Sequence, residues 1–185
     1  MYWRYFMWNF AGRQNDIHSP SPGEIFYGNW ECGIKFIDNI RLGDQSNAPA
    51  VLSENKGKNH YYLLPLLLGV MGIFFQFERD KRGCWLTFLL FFMTGIAIVL
   101  YLNQPPYQVR ERDYAYAGSF YAFCIWIGLA VMALYEWIGG KLKDKYPAAT
   151  AGVFTAACLF VPALMAQQNW DDHDRSNRYT AVEIA

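Results

Sequence analysis

The hydrophobic positions of this chain are gathered in four long stretches, and the charged positions lie between them. The stretches without any Asp, Glu, Lys or Arg are residues 61–77, 83–109, 114–135 and 146–170. A helix needs about 20 mostly apolar residues to cross a bilayer core of ~30 Å, and ~17 can suffice. The pattern therefore predicts about four transmembrane helices, at 61–77, 85–102, 120–137 and 148–166.

A soluble all-α protein with buried helices is the alternative to this interpretation. Each apolar stretch is almost continuously hydrophobic, whereas a surface helix of a soluble protein carries an apolar and a polar face. In 185 residues, too little amphipathic sequence remains to shield four such helices from water. We therefore expect an all-α, polytopic membrane protein.

Composition narrows the possible partners of the chain. It is 54% hydrophobic and 17% charged, whereas an average soluble domain has about 25% charged residues. The 16 Lys+Arg balance the 16 Asp+Glu, so the chain lacks the net positive charge that favours nucleic-acid binding. It is also too hydrophobic for intrinsic disorder. We expect the lipid bilayer as a partner and no nucleic acid.

Basic residues set the expected orientation of the four helices. Loops 78–83 and 139–147 are short and rich in Lys and Arg, which is typical of cytoplasmic loops. The segments between and around the other helix ends then lie on the outer face of the cytoplasmic membrane, and so do both ends of the chain. The predicted organisation is an outer segment at 1–59, a four-helix region at 60–168 and an outer tail at 169–185.

Features near both ends of the sequence favour an internal piece of a longer protein. The aromatic sequence after Met1 lacks the regions of a signal peptide, although residues 1–59 are predicted to lie outside. Thr180 and Glu183 have the spacing of a capping box, which opens a helix. We therefore expect further sequence on both sides of this chain.

Residues 30–41 predict one extramembrane helix. Trp30, Ile34, Ile37 and Ile40 recur at helical spacing, and charged residues occupy the other faces. An amphipathic helix of this kind lies on the membrane or docks on the protein's own bundle. Docking on the bundle is the interpretation that we favour.

Polar and aromatic motifs on the predicted outer face supply the candidate binding residues. An arginine held near the headgroups by acids can grip a phosphate through its planar guanidinium, and tyrosine rings suit sugars or isoprenoid chains. The alternative is a set of solvated ion pairs, which contribute little individually. The candidates for binding substrate or carrier are Arg4, Arg13, Asp16, Arg110, Arg112, Asp113, Tyr114, Tyr116, Asp171, Asp172, His173, Asp174 and Arg175.

The acidic run at 171–174 has two further interpretations. Its three carboxylates and one imidazole offer ligands to a divalent cation, but neighbouring helical residues point in different directions, so one run does not close a cage. An acidic first turn of a helix, favoured by the helix dipole, is the simpler interpretation. Since the four cysteines form no CxxC motif either, we expect no metal site and assign no certain cofactor.

Four motifs resemble those of a large bacterial family of multi-pass membrane proteins. They are MYWRYFMWNFAGRQND at 1–16, YLNQ at 101–104, RERDYAYAGSFYAF at 110–123 and WDDHDRS at 170–176. This family, long catalogued as a domain of unknown function, is now grouped with protein O-mannosyltransferase-like glycosyltransferases of the GT-C type. The resemblance runs along nearly the whole chain and is weaker at 19–55.

The resemblance implies transfer of a sugar, expected to be mannose, from a polyprenyl-phosphate carrier to a Ser or Thr hydroxyl of an exported protein. Arg110 or Arg112 would stabilise the leaving phosphate, and Tyr114, Tyr116 and the aromatic run at 2–10 would line the carrier groove. The catalytic acid of GT-C enzymes usually lies in the first outer loop, which we expect upstream of this chain. The alternative is a non-catalytic membrane scaffold or a module that binds a lipid-linked substrate.

Overall fold

The computed structural model describes residues 2–15, 30–44, 49, 53–103 and 113–173, and this part of the chain is mostly helical, as predicted. The helices are α1 (Tyr2–Phe10), α2 (Lys35–Leu42), α3 (Leu64–Arg79), α4 (Lys81–Thr94), α5 (Ile96–Leu102), α6 (Ala117–Ile138), α7 (Gly140–Lys145) and α8 (Pro147–His173). A 3-10 helix at Asp113–Tyr116 precedes α6. Two short strands, β1 (Gly12–Arg13) and β2 (Asn59–His60), pair antiparallel.

Three helical segments are long and apolar enough to cross a membrane. They are Lys81–Leu102, Tyr114–Ile138 and Pro147–Trp170. Only 11% of the most apolar stretch within Lys81–Leu102 is buried, so most of its side chains present apolar surface outward. Such surface is typical of helices that contact lipid, because soluble proteins rarely expose contiguous apolar patches of this extent.

α3 corresponds to the first predicted span and is shorter than the other three. Its 16 residues extend ~24 Å at about 1.5 Å per residue, against a hydrocarbon core of ~30 Å. The helix begins late because Tyr62 and Leu63 adopt left-handed backbone conformations, with φ of 54° and 59°. Three helices of spanning length are thus observed, and a fourth span remains a prediction.

The second predicted span consists of two helices. The backbone at Gly95, with φ of −118° and ψ of −90°, leaves helical geometry and separates α4 from α5. Only one residue interrupts the helical path, so the two still form one continuous apolar segment.

α8 extends beyond the predicted span and reaches His173, the last residue that the structure describes in this part of the chain. Asp171 and Asp172 therefore continue this helix. The prediction of an acidic first turn is wrong for these residues, because the apolar helix continues through Trp170 without a break.

The tightest helix contact joins α3 to α6. A Cβ added at Gly72 would lie 1.8 Å from the Trp126 carbonyl oxygen, and one added at Gly69 would lie 2.2 Å from the Phe123 ring. Trp126 Nε1 also donates a hydrogen bond to Gln76 Oε1 at 2.7 Å. Small residues at such contacts allow close helix approach, which is common in membrane bundles.

α1 fills one end of the α3–α6 pair with aromatic side chains. Phe6, Met7 and Phe10 are buried in one cluster with Phe123 and Trp126. The ring centroids of Phe10 and Phe123 are 4.6 Å apart. The aromatic run that was predicted to line a carrier groove therefore contributes most of its rings to the protein core.

α2 is present near its predicted position, but it docks by its polar side. Asp38 is 4% exposed and accepts hydrogen bonds from the backbone N–H groups of Cys32 and Gly33, at 3.0 and 2.8 Å. On the other side of the helix, Phe36 and Ile40 are 75% and 74% exposed. The apolar side thus has no contact within the described part of the chain that would bury it.

Each end of the bundle gathers segments that were predicted to share a membrane face. At one end Tyr2 OH donates to Ser119 Oγ at 3.0 Å, and Asn169 Nδ2 donates to Tyr61 OH at 2.6 Å. We call this the α1 end. At the opposite end an ion pair joins Arg79 to Glu136. Which end faces the cell exterior stays a prediction.

Replacing Gly72 by alanine tests the α3–α6 contact. The added methyl group overlaps a backbone carbonyl, so the helices must separate, and we expect the free energy of unfolding to fall by about 1–3 kcal/mol. Gly128→Ala is the matched control, because nothing lies within 4 Å of its Cβ position and alanine favours a helix. Thermal unfolding in detergent, followed by tryptophan fluorescence, measures both. A Gly72→Ala melting temperature equal to that of the wild type would contradict the packing.

Candidate functional site at the α1 end of the bundle

Three chain segments lie side by side at the α1 end. β1 pairs with β2, and Glu31 N donates to Gly12 O at 3.3 Å. Gly12 has a φ of 130°, and a Cβ there would lie 2.3 Å from Glu31 O and 2.5 Å from Asn59 O. Only glycine fits between these two backbones, so this position fixes the spacing of all three segments.

Glu31 is the buried charge at the centre of this arrangement. Its Oε1 lies 3.0 Å from His60 Nε2, and its Oε2 lies 3.3 Å from Lys58 Nζ. Burial opposes ionisation of Glu31, but the hydrogen bond to His60 and the charge of Lys58 outweigh it. The pKa of Glu31 therefore lies below its ordinary value of 4.5, and the carboxylate is ionised at neutral pH.

The end of α8 is joined to the same cluster. His60 N donates to Gln168 Oε1 at 2.7 Å, and the side-chain amides of Asn59 and Asn169 are hydrogen-bonded at 3.0 Å. His60 also contacts Glu31, which precedes α2. The two residues of β2 therefore connect α8 to the segment before α2.

Cys32 and Asp38 form a second buried pair beside Glu31. Cys32 Sγ donates to Asp38 Oδ1 at 3.2 Å. Burial, together with the nearby Asp38 carboxylate, raises the pKa of the Cys32 thiol to about 11. The thiol is therefore protonated at neutral pH and acts as a hydrogen-bond donor, since nucleophilic cysteines require a thiolate.

A cleft of about 300 Å³ opens beside these two pairs. Its size is at the lower end of small-molecule sites, and its polar groups can hydrogen-bond a ligand of that size. No group of three or more His, Cys, Asp or Glu residues suitable for a metal ion occurs in the described ranges. The cleft is lined by Glu31, Gly33, Lys35, Asp38, Asn39, Asp44 and His60.

Arg4 and Arg13, both predicted site residues, share one aromatic partner. Their guanidinium carbons lie 5.8 and 5.7 Å from the centre of the Trp8 ring. Arg13 Nε also donates to Gly57 O at 2.6 Å. Cation–π contacts of this kind, together with the hydrogen bond, tie α1 and β1 to the segment before β2.

The two predicted tyrosines have different environments. Tyr116 is 2% exposed, and its ring lies 5.5 Å from that of Tyr2 in an edge-to-face contact. Tyr114 is 65% exposed at the start of α6. Of the two, Tyr114 offers a surface to a ligand, whereas Tyr116 packs in the core.

The remaining predicted residues divide between helix ends and the part of the chain that is not described. Asp113 lies in the 3-10 helix before α6, and Asp171, Asp172 and His173 lie in α8. The others lie outside the described residues, and their proposed roles stay predictions. They are Asp16, Arg110, Arg112, Asp174 and Arg175.

Sequence reasoning did not single out Glu31, Asp38 or His60 as site residues. Glu31 and His60 are 29 positions apart, so no local spacing connects them. One feature of the sequence could have indicated this site. Lys58 and His60 are two basic side chains directly before an apolar stretch on the predicted outer face. Basic residues at such a boundary suggest an acidic partner from elsewhere in the chain.

Comparison with known proteins finds no matching family model, no matching curated protein and no matching solved structure. The resemblance of the four sequence motifs to a known family stays a prediction.

Replacing Glu31 by glutamine tests the buried ion cluster. The amide cannot balance the charge of Lys58, and we expect a loss of roughly 1–3 kcal/mol in stability at neutral pH. Because the pKa of Glu31 is lowered by folding, its contribution is fully present above pH 4.5 and is lost as the pH falls through the folded-state pKa. The difference in melting temperature between wild type and Glu31→Gln should therefore become smaller as the pH falls through the folded-state pKa of Glu31.

The control for this experiment is Glu54→Gln. Glu54 is an exposed carboxylate in the same extramembrane region, and its replacement should leave the melting temperature nearly unchanged at every pH. A Glu31→Gln variant that behaves like Glu54→Gln would show that the Glu31 ion pairs do not stabilise the fold.

Proposed function

We propose that this chain forms part of the membrane domain of a GT-C-type glycosyltransferase. In this proposal, mannose moves from a polyprenyl-phosphate carrier to a Ser or Thr hydroxyl of an exported protein. The starting point is the resemblance of four motifs to protein O-mannosyltransferase-like proteins. One observation supports the proposal most: two of these motifs meet where Tyr2 OH donates to Ser119 Oγ at 3.0 Å, across 117 positions of sequence.

A third motif reaches the same end of the bundle. Residues 170–176 begin directly after Asn169, which donates a hydrogen bond to Tyr61 OH at 2.6 Å. The fourth, at 101–104, starts in the last turn of α5, whose residues Ile98 and Val99 pack against the Tyr5–Trp8–Tyr116 cluster. Motifs that serve one binding region must lie near one another, and this convergence meets that requirement.

The three apolar helices of spanning length support the membrane location of this proposal. The basic loops at 78–83 and 139–147 belong to the opposite end from α1. By the positive-inside rule, the α1 end then faces outward in the cytoplasmic membrane, where a lipid-linked sugar and an exported acceptor meet.

The chemistry of the proposed step assigns tasks to two kinds of group. A carboxylate takes the proton of the attacking hydroxyl as its oxygen bonds to the anomeric carbon. The bond from that carbon to the carrier phosphate breaks, and polyprenyl phosphate leaves as an anion. Arg110 or Arg112 stabilises this developing charge through bidentate hydrogen bonds. We assign the carboxylate to no residue of this chain.

The test is transfer of labelled mannose from polyprenyl-phosphate mannose to a Ser/Thr-containing acceptor by the full-length protein in proteoliposomes. We expect Arg112→Ala to lower kcat by about 100-fold, because it removes a cation from the developing phosphate charge. Lys56→Ala is the control, since Lys56 is an exposed cation in the same extramembrane region and should be dispensable.

Two results would change the proposal. A wild-type protein that binds the lipid-linked sugar without transferring it would favour the non-catalytic substrate-binding module. Full activity of both Arg112→Ala and Asp172→Ala, alongside an active wild type, would remove these residues from the site while leaving the reaction in place.

A further inference from the structure

α2 exposes the side of the helix that a docked helix normally buries. Phe36 and Ile40 are four positions apart and therefore lie on the same face. They are 75% and 74% exposed, whereas Asp38 on the opposite side is 4% exposed. Isolated apolar residues on a surface are common. A helix that buries a carboxylate and exposes two apolar side chains is unusual and requires an explanation.

The orientation of α2 is fixed by its neighbours. Asp38 accepts hydrogen bonds from the backbone N–H groups of Cys32 and Gly33. Gly33 in turn lies against the next segment, since a Cβ there would be 2.9 Å from His60 Cβ and 3.1 Å from the Tyr62 ring. Turning the apolar side inward would break these bonds and leave the backbone N–H of the buried Cys32 without its acceptor, which is costly.

α2 also lies close to the level at which the apolar bundle begins. Tyr62 N donates to Cys32 O at 2.9 Å, and α3 starts two residues after Tyr62. Exposed tyrosine and tryptophan rings surround this end of the bundle, and such rings concentrate at the headgroup level of a bilayer. They belong to Trp3, Tyr62, Tyr101, Tyr114, Tyr121 and Trp170.

We propose that α2 is an interfacial helix whose Phe36 and Ile40 side chains insert into the lipid bilayer beside the α1 end of the bundle. The exposed ammonium of Lys35 borders this apolar face and suits anionic headgroups. In this arrangement, the apolar face of α2 and the exposed apolar surface of the spanning helices contact the same bilayer. This inference rests on the proposed membrane location and is independent of the proposed transfer reaction.

Photo-crosslinking in proteoliposomes tests the insertion. The full chain, reconstituted in phosphatidylethanolamine and phosphatidylglycerol, carries p-benzoylphenylalanine at position 36 or, in a second variant, at position 40. Both positions are exposed, so the substitutions should not disturb folding. After irradiation, mass spectrometry identifies lipid adducts and protein adducts. The matched control is position 39, because Asn39 is exposed on the same helix, points about 60° from Phe36 and about 100° from Ile40, and lines the polar cleft.

A further crosslinking position, within the bundle, distinguishes insertion of α2 from insertion of the bundle itself. Phe88 of α4 is exposed in a helix of spanning length and must form lipid adducts if the bundle is in the membrane. We expect adduct yields at 36 and 40 that approach that at 88 and exceed that at 39 several-fold. Adducts at 88 without adducts at 36 and 40 would overturn the inference for α2 alone. Crosslinks from 36 and 40 to a second copy or another part of the chain would also overturn it. Absence of adducts at 88 would overturn the membrane location and the inference together.

Discussion

The close contact of α3 with α6 sets the geometry of the rest of the molecule. Gly69 leaves room for the Phe123 ring, and Gly72 brings the backbone of α3 against the backbone of α6 at Trp126. Aromatic residues of α1 then pack on this pair rather than between its members. Since β2 and the left-handed turn at Tyr62 lead directly into α3, the position of α3 also determines where the polar segments of the α1 end lie.

The apolar helices were predictable because lipid-facing and buried positions both require uninterrupted hydrophobic sequence. Their ends were less predictable. The start of α3 depends on the backbone conformation of Tyr62 and Leu63. The break at Gly95 lies where α4 and α5 pass close to other segments, since a Cβ there would lie 2.8 Å from Ser119 Cβ and from Tyr2 OH. A hydrophobicity pattern contains neither feature.

Sequence reasoning grouped the segments of the candidate site better than it chose the residues. Charge asymmetry between loops placed these segments on one membrane face, and the structure brings them to one end of the bundle. The Glu31–His60 pair and the Glu31–Lys58 pair join separate segments, so their partners were hidden in the sequence. α2 illustrates the same limit. Its periodicity indicated a helix with charged residues off the apolar face, but it did not indicate that Asp38 is buried, where it accepts hydrogen bonds from the N–H groups of Cys32 and Gly33.

A buried anion beside apolar helices requires compensation, and this requirement links the polar site to the bundle. Glu31 loses hydration on burial, and it is compensated by the charge of Lys58 and by the contact with His60, both from the few residues before α3. His60 in turn binds the end of α8 through Gln168. Movement of α8 relative to this segment would break the bond between His60 and Gln168. The polar residues that border the cleft are thus connected to the apolar helices through the same short segment that compensates Glu31.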